Sequence, residues 1–344
     1  MLKKCEMLPK MDRKLDVLVA MTEESNRKLD QVLEIAGKQA QQTAKQSIRE
    51  KVHERRETNM DKHNISSDAC KKEQQPFAKG ATAAVFKAKM DRQTVAVKVV
   101  SLQGLSRAQR TKVTKDFVSE LDILVGLRHP NVLTVFGAID DLNSLQLVMQ
   151  FATEGELGDF LRQSIDSLPL SQQIDFSLQI ASGLRYIHSK SVAHRDLKSL
   201  NILMTKNIYG NMLLLISDFG LSKEEIGATM ATAGALGTPS WSSPEILEQS
   251  ENPNHFQADI WSFGVVVWEV VTRSVPFEGM TIMQVMRSVC MDGKKMTLSV
   301  DSGHHQTLVD IVDGCCVADP NSRCCFFPVA QWCLLFGCCH DGLV

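Results

Sequence analysis

Two segments limit what this chain can fold into more than any others: "VAHRDLKSLNILM" (192–204) and "LLISDFGLS" (214–222). Both place acids just beyond short apolar runs that read as strands, where chain ends expose side chains to a cleft. Asp196 and Asp218 lie about twenty residues apart, with Lys198 and Asn201 between them.

The rest of the chain divides by texture. Residues 1–72 contain no Trp, Phe or Tyr and are dense in Lys, Arg, Glu and Gln. A three-four spacing from Leu15 through Leu18, Leu29, Val32 and Ala36 predicts a helix and loosely fits a coiled-coil seam. Thr22, Ser25 and Gln39, three of the eight positions, are polar, so a solvated helix fits the same pattern. "HNISSDACKKEQQP" (63–76) is polar and turn-rich and reads as a linker. From Phe77 onward the β-rich runs "AAVFKAKM", "QTVAVKVV", "VLTVFGAI" and "LQLVMQF" come first, with one helical stretch at 110–127 between them. Helical patterns then dominate at 156–165, 171–190, 257–273, 281–291 and 305–317. Strands followed by helices predict an α+β chain of two segregated lobes. Within "FAKGATAAVFKAKM" (77–90) a strand, a small-residue turn and a second strand have the cadence of a phosphate-cradling hairpin, with Gly80 as its lone glycine.

Bulk numbers exclude some classes. A formal charge of −2 over 344 residues gives no electrostatic reason to expect a nucleic-acid partner. "FGVVVWEVV" (263–271) is too short for a membrane span and carries Glu269, and the start of the chain has no apolar signal region. Seven of the ten cysteines fall between 315 and 339, three times as adjacent pairs, and the chain holds no C-x-x-C. That spacing does not suit zinc, and reduced thiols in a cytoplasmic chain follow as the expectation.

With those residues in view, the chain resembles the eukaryotic protein kinases. His194-Arg195-Asp196-Leu197-Lys198-x-x-Asn201 is similar to their catalytic loop, and Asp218-Phe219-Gly220 to their metal-binding loop. "VAVK" puts Lys98 on a strand after the small-residue turn, and Glu120 stands where the family places the lysine's carboxylate partner. "GTPSWSSPE" (237–245) resembles the end of an activation segment, with Ser243-Pro244-Glu245 in place of Ala-Pro-Glu. Asp259 in "ADIWSFGVVVWEV" is the acid that would brace the catalytic loop, and Arg323 would pair with Glu245. The resemblance covers about 73–335 and implies a bilobal kinase fold, with a β-rich lobe at 73–151 and a helical lobe at 152–335. An N-terminal helical segment precedes it, and a Cys-containing tail follows at 336–344.

The resemblance implies ATP and Mg²⁺ as cofactors and proteins as substrates. Asp196, Lys198, Lys98 and Glu120 take the catalytic positions, and Asn201 and Asp218 the metal positions. Ala78, Lys79, Gly80, Ala81, Ala83 and Val85 align with the glycine loop, joined around the nucleotide by Ala96, Lys98, Met149, Gln150 and Ala152. The middle glycine is kept and alanines replace its neighbours, which implies a weaker hold on the phosphates. His194 is expected to be a structural support. "DLKSLN" with "GTPSWSSPE" is similar to the tyrosine-kinase-like group, which mostly phosphorylates serine and threonine. Thr229 or Thr232 is expected to become an activating phosphate paired with Arg195. A pseudokinase or scaffold acting through the N-terminal helix is the alternative reading. Homo-association is expected to run through that helix, and membrane contact only through acylation of Cys338 or Cys339. The other paired cysteines are expected to pack in the core.

Overall fold

The computed structural model describes residues 63–79, 83–141, 143–163, 167–218 and 239–324. The expected N-terminal helix, the turn centre at 80–82, the activation segment over 219–238 and the C-terminal tail lie outside the described residues, as does the side chain of Glu120.

Among the described residues, six strands form one antiparallel sheet: β1 (Cys70–Lys72), β2 (Ala78–Lys79), β3 (Ala83–Met90), β4 (Gln93–Ser101), β5 (Val135–Asp141) and β6 (Ser144–Gln150). The strand order is β1-β3-β4-β6-β5, with β2 also pairing with β3. Helix α1 (Arg107–Gly126) interrupts the strands. It starts earlier than its apolar period suggests because Ser106 and Gln109 close a capping box, each side chain bonding the other's backbone N–H.

The stretch expected to be a linker is part of this sheet. Cys70 pairs with Met90 along β1, and Cys70, Val95, Val97, Ile139 and Val148 bury together in a small core. Upstream, Ile65 N–H donates to the Ala138 carbonyl and Ala138 N–H to that of His63, adding a backbone rung beside β5. Gly137 permits this approach, since a Cβ there would collide with the His63 carbonyl oxygen. The predicted strand at 132–139 starts only at Val135. Leu133 N–H instead donates to the Ile216 carbonyl, and Ile216 N–H to that of Asn131, which ties the two lobes together.

The second lobe is helical: α2 (Leu157–Gln163), α3 (Leu170–Ser189), the hairpin β7 (Ile202–Lys206) and β8 (Met212–Ile216), α4 (Pro244–Leu247), α5 (His255–Thr272), α6 (Ile282–Met286) and α7 (Gln306–Cys315). The expected helix over 281–291 loosens into a π-turn after Met286. Helix α5 is buried on nearly every side, as its almost uninterrupted apolar sequence demands. Asn254 caps its start through the N–H groups of Phe256 and Gln257. Arg273 ends it in the left-handed region (φ 56°) and donates its guanidinium to the carbonyls of Leu161 and Phe160, pinning α2. Phe176, Phe263, Leu184 and Ile180 are fully buried around α5, each contributing about 1.5–3 kcal/mol of apolar burial.

Cys315 and Cys316 fill the space against Gly264 of α5, as expected for core cysteines. A Cβ at Gly264 would lie 2.7 Å from Cys315 Cβ and 2.8 Å from Cys316 Sγ. Gly264→Ala is therefore expected to destabilise the fold by about 1–3 kcal/mol through overpacking, despite better helix propensity. Gly126→Ala, where a Cβ meets no atom within 4 Å, is expected to be neutral or stabilising. Urea denaturation of the two variants measures the contrast.

Candidate active site

The site forms where the β-rich lobe faces the ends of the catalytic segments. Lys98 sits on β4 opposite Val85 of β3 and Leu147 of β6. Its Nζ donates to Asp218 Oδ1 at 2.7 Å across 120 residues of sequence. Asp218 follows β8 in the left-handed region (φ 55°), a conformation that costs a non-glycine residue energy and recurs at functional sites. The expected partner of Lys98 was Glu120; its side chain lies outside the described residues, and the contact on view is Asp218.

The catalytic-loop residues cluster beside it. Asn201 Nδ2 donates to the Asp196 backbone carbonyl at 2.7 Å and to Asp196 Oδ2 at 3.0 Å. Lys198 Nζ lies 3.3 Å from the same Oδ2. Ser217, next to Asp218, donates both its N–H and its hydroxyl to the Asn201 carbonyl. Asp196, Lys198, Asn201 and Asp218 are thereby joined by hydrogen bonds and backbone.

Beneath them lies a buried scaffold. Asp259 of α5, 1% exposed, accepts His194 N–H at 2.7 Å and Arg195 N–H at 2.8 Å. His188 Nε2 donates to the same carboxylate at 2.8 Å. Arg195 is thus held in the left-handed region (φ 65°). The His194 ring donates Nε2–H to the Ser217 carbonyl and accepts Asp196 N–H at Nδ1. Burial holds its pKa below the ordinary histidine value, so the ring stays neutral and acts as a strut, the support role expected of it.

Several of the residues expected around a nucleotide lie on strands β2, β3, β4 and β6. Ala78 pairs with Val85, and Ala96 with Met149 of β6. Ala96 and Met149 are buried and Val85 packs against the same core, so an apolar wall stands beside Lys98. Gln150 N–H donates to the Thr134 carbonyl, fixing the end of β6 ahead of Ala152. Lys79, apart from its place in β2, and Gly80 and Ala81 lie outside the described side chains. Glu156, which sequence reasoning missed, has its pKa raised by burial and by the charges of Asp159 and Asp218, so it belongs to the same electrostatic field.

A second buried ion pair lies below the site. Glu245 of α4 receives a two-pronged pair from Arg323, NH1 to Oε1 at 2.6 Å and NH2 to Oε2 at 2.7 Å. A family model, "Protein tyrosine and serine/threonine kinase", matches residues 72–331. The chain belongs to this protein kinase family. The kinase domain is 32% identical to a putative serine/threonine-protein kinase/receptor of Acanthamoeba polyphaga mimivirus, covering 73% of the chain and 15% of the relative. It is 30% identical to the serine/threonine/tyrosine-protein kinase HT1 of Arabidopsis thaliana over 72% of the chain and 61% of that protein. To the human tyrosine-protein kinase Fer the identity is 34%, over 62% of the chain and 25% of Fer. The chain thus spans less than two thirds of the length of these curated relatives. Their mixture of serine/threonine and tyrosine kinases agrees with the tyrosine-kinase-like resemblance.

Another buried acid joins the floor of the kinase site to the catalytic loop. Glu269 of α5 accepts Ser199 Oγ–H at 2.8 Å and Trp241 Nε1–H at 2.6 Å. Burial outweighs these donors and pushes its pKa up to about 7. The folded chain then holds a proton on Glu269 between about pH 4.5 and 7, where the unfolded chain has released it. Stability from this group is present at low pH and lost as pH rises through 7, by about 3 kcal/mol over the window. Urea midpoints measured from pH 5 to 8 are expected to fall less steeply for Glu269→Gln than for the native chain.

Proposed function

We propose that this kinase transfers the γ-phosphate of Mg-ATP to serine and threonine hydroxyls of protein substrates. The observation that carries the reading is the Lys98–Asp218 contact of 2.7 Å beside the Asp196–Lys198–Asn201 cluster. Phosphoryl transfer asks a protein mainly for positioning and charge neutralisation, and these groups supply both. Lys98 is the cation for the α- and β-phosphates. Asp196, oriented by Asn201, accepts the proton of the substrate hydroxyl, and Lys198 stands beside it to meet the transferring group.

The donor set fits Mg²⁺. Asp218 offers a part-exposed carboxylate, and Asn201, whose Nδ2 is directed at Asp196, offers its carboxamide oxygen. Hard oxygens of this kind suit Mg²⁺, which when bound offsets triphosphate charge. Ala78 and Ala83 replace glycines within strands β2 and β3, and neither takes the left-handed backbone that would strain an alanine. Lys198, where tyrosine kinases usually carry alanine or arginine, favours serine and threonine. Activation through Thr229 or Thr232 and self-association through the N-terminal segment are part of the same reading.

Radiolabelled ATP with mixed Ser/Thr and Tyr peptide pools tests it. Label is expected in Ser/Thr peptides, and Asp196→Asn is expected to lower kcat by about 100- to 10,000-fold with the ATP KM little changed. Label confined to Tyr peptides would overturn the specificity. No transfer by the native chain, phosphorylated or not, would overturn the activity in favour of a scaffold.

A further inference from the structure

The two sulfurs of Cys315 and Cys324 lie 3.3 Å apart, closer than any role in core packing requires. Cys315 closes α7 and is 2% exposed, whereas Cys324 is only partly buried. Cys324 N–H donates to the Gly314 carbonyl at 3.0 Å, so the two backbones are already held side by side. Gly314 leaves the room for this: a Cβ there would stand 3.3 Å from the Cys324 sulfur. The nine-residue step between the cysteines contains Arg323, whose guanidinium also binds the carbonyls of Val317, Gln257 and Ala318 and lies over the Trp261 ring.

We propose that Cys315 and Cys324 form a reversible dithiol–disulfide pair, oxidised by a hydroperoxide, that locks the Arg323 loop onto α7. A disulfide needs its sulfurs to close to about 2.05 Å, a movement of little more than 1 Å from the contact on view. Cys324 reacts first. It is the accessible member, and the Cys315 S–H bond it accepts lowers its pKa while raising that of Cys315. The Cys324 thiolate attacks the peroxide, the O–O bond breaks, and a sulfenic acid forms as the leaving alkoxide or hydroxide takes up a proton. Cys315 then attacks the Cys324 sulfur, its thiol proton leaves with the hydroxyl as water, and the S–S bond forms. Two thiols lose two electrons in all, and one peroxide gains them. A thiol reductant reverses the bond by exchange. The floor beneath the substrate is then covalently fastened, because Arg323 is the partner of Glu245.

The full chain is treated with hydrogen peroxide, alkylated and digested with trypsin without reduction. Cleavage after Arg323 separates residues 296–323 from 324–344, so the bond appears as these two peptides joined. The joined mass is expected in the native chain and in Cys316→Ser, to be absent from Cys324→Ser, and to vanish with dithiothreitol. Closure of a loop this short is expected to raise the melting temperature by roughly 5 °C in the oxidised native chain. Cys324→Ser, folded to the melting temperature of the reduced native chain, is expected to show no such rise. Separately alkylated Cys315 and Cys324 in the native chain, a link that persists in Cys324→Ser, or a link without thermal stabilisation would each overturn the proposal.

Discussion

The Asp259 carboxylate is the fixed point on which the kinase site depends. It is buried in a largely apolar helix, and it accepts hydrogen bonds from His194 N–H, Arg195 N–H and His188 Nε2–H. A buried charge is costly unless it is satisfied in this way, and the same low dielectric makes each of the three bonds strong. The backbone at Arg195 is strained, and the Asp259 bond is what holds it there. From that point the order spreads: His194 reaches Ser217, Ser217 reaches Asn201, and Asn201 orients Asp196. Asp218 follows Ser217 directly, so the residue that meets Lys98 is positioned by the same chain of bonds.

Helix α5 carries the other anchors too. Its apolar surface binds the helical lobe together, and three of its polar side chains serve loops. Asp259 holds the catalytic loop, Ser262 donates to the Trp241 carbonyl, and Glu269 bridges Ser199 and Trp241. The catalytic loop and the floor that follows the activation segment are therefore registered to one rigid rod. Arg323 adds a further tie from beyond α7 through Glu245 and the Trp261 ring. The cysteine pair next to Arg323 makes this last tie the one open to chemistry.

The two lobes were legible because β-rich runs come first along the chain and helical periods follow. Helix starts were displaced where caps decided them, at Ser106 and Asn254, because a hydrophobic period does not see a polar cap. The stretch at 63–76 was misread as a linker because a three-residue edge strand such as β1 is too short to show alternation, and its buried Cys70 stands among polar neighbours. Glu269 was visible only as a charge that spoils a membrane span. An acid retained inside an apolar helix was the signal that a buried donor awaited it. The Lys98–Asp218 contact joins residues from different motifs, and no local pattern encodes their approach.

In the proposed function Lys98, Asn201 and Asp218 together hold a magnesium–nucleotide pair. Calorimetric titration of the native chain with ATP, with and without Mg²⁺, beside an Asp218→Asn variant, tests this most directly. The expected result is ATP binding that needs Mg²⁺ in the native chain and loses that dependence in Asp218→Asn. ATP binding of equal strength with and without Mg²⁺ in both proteins, or none in either, would contradict it.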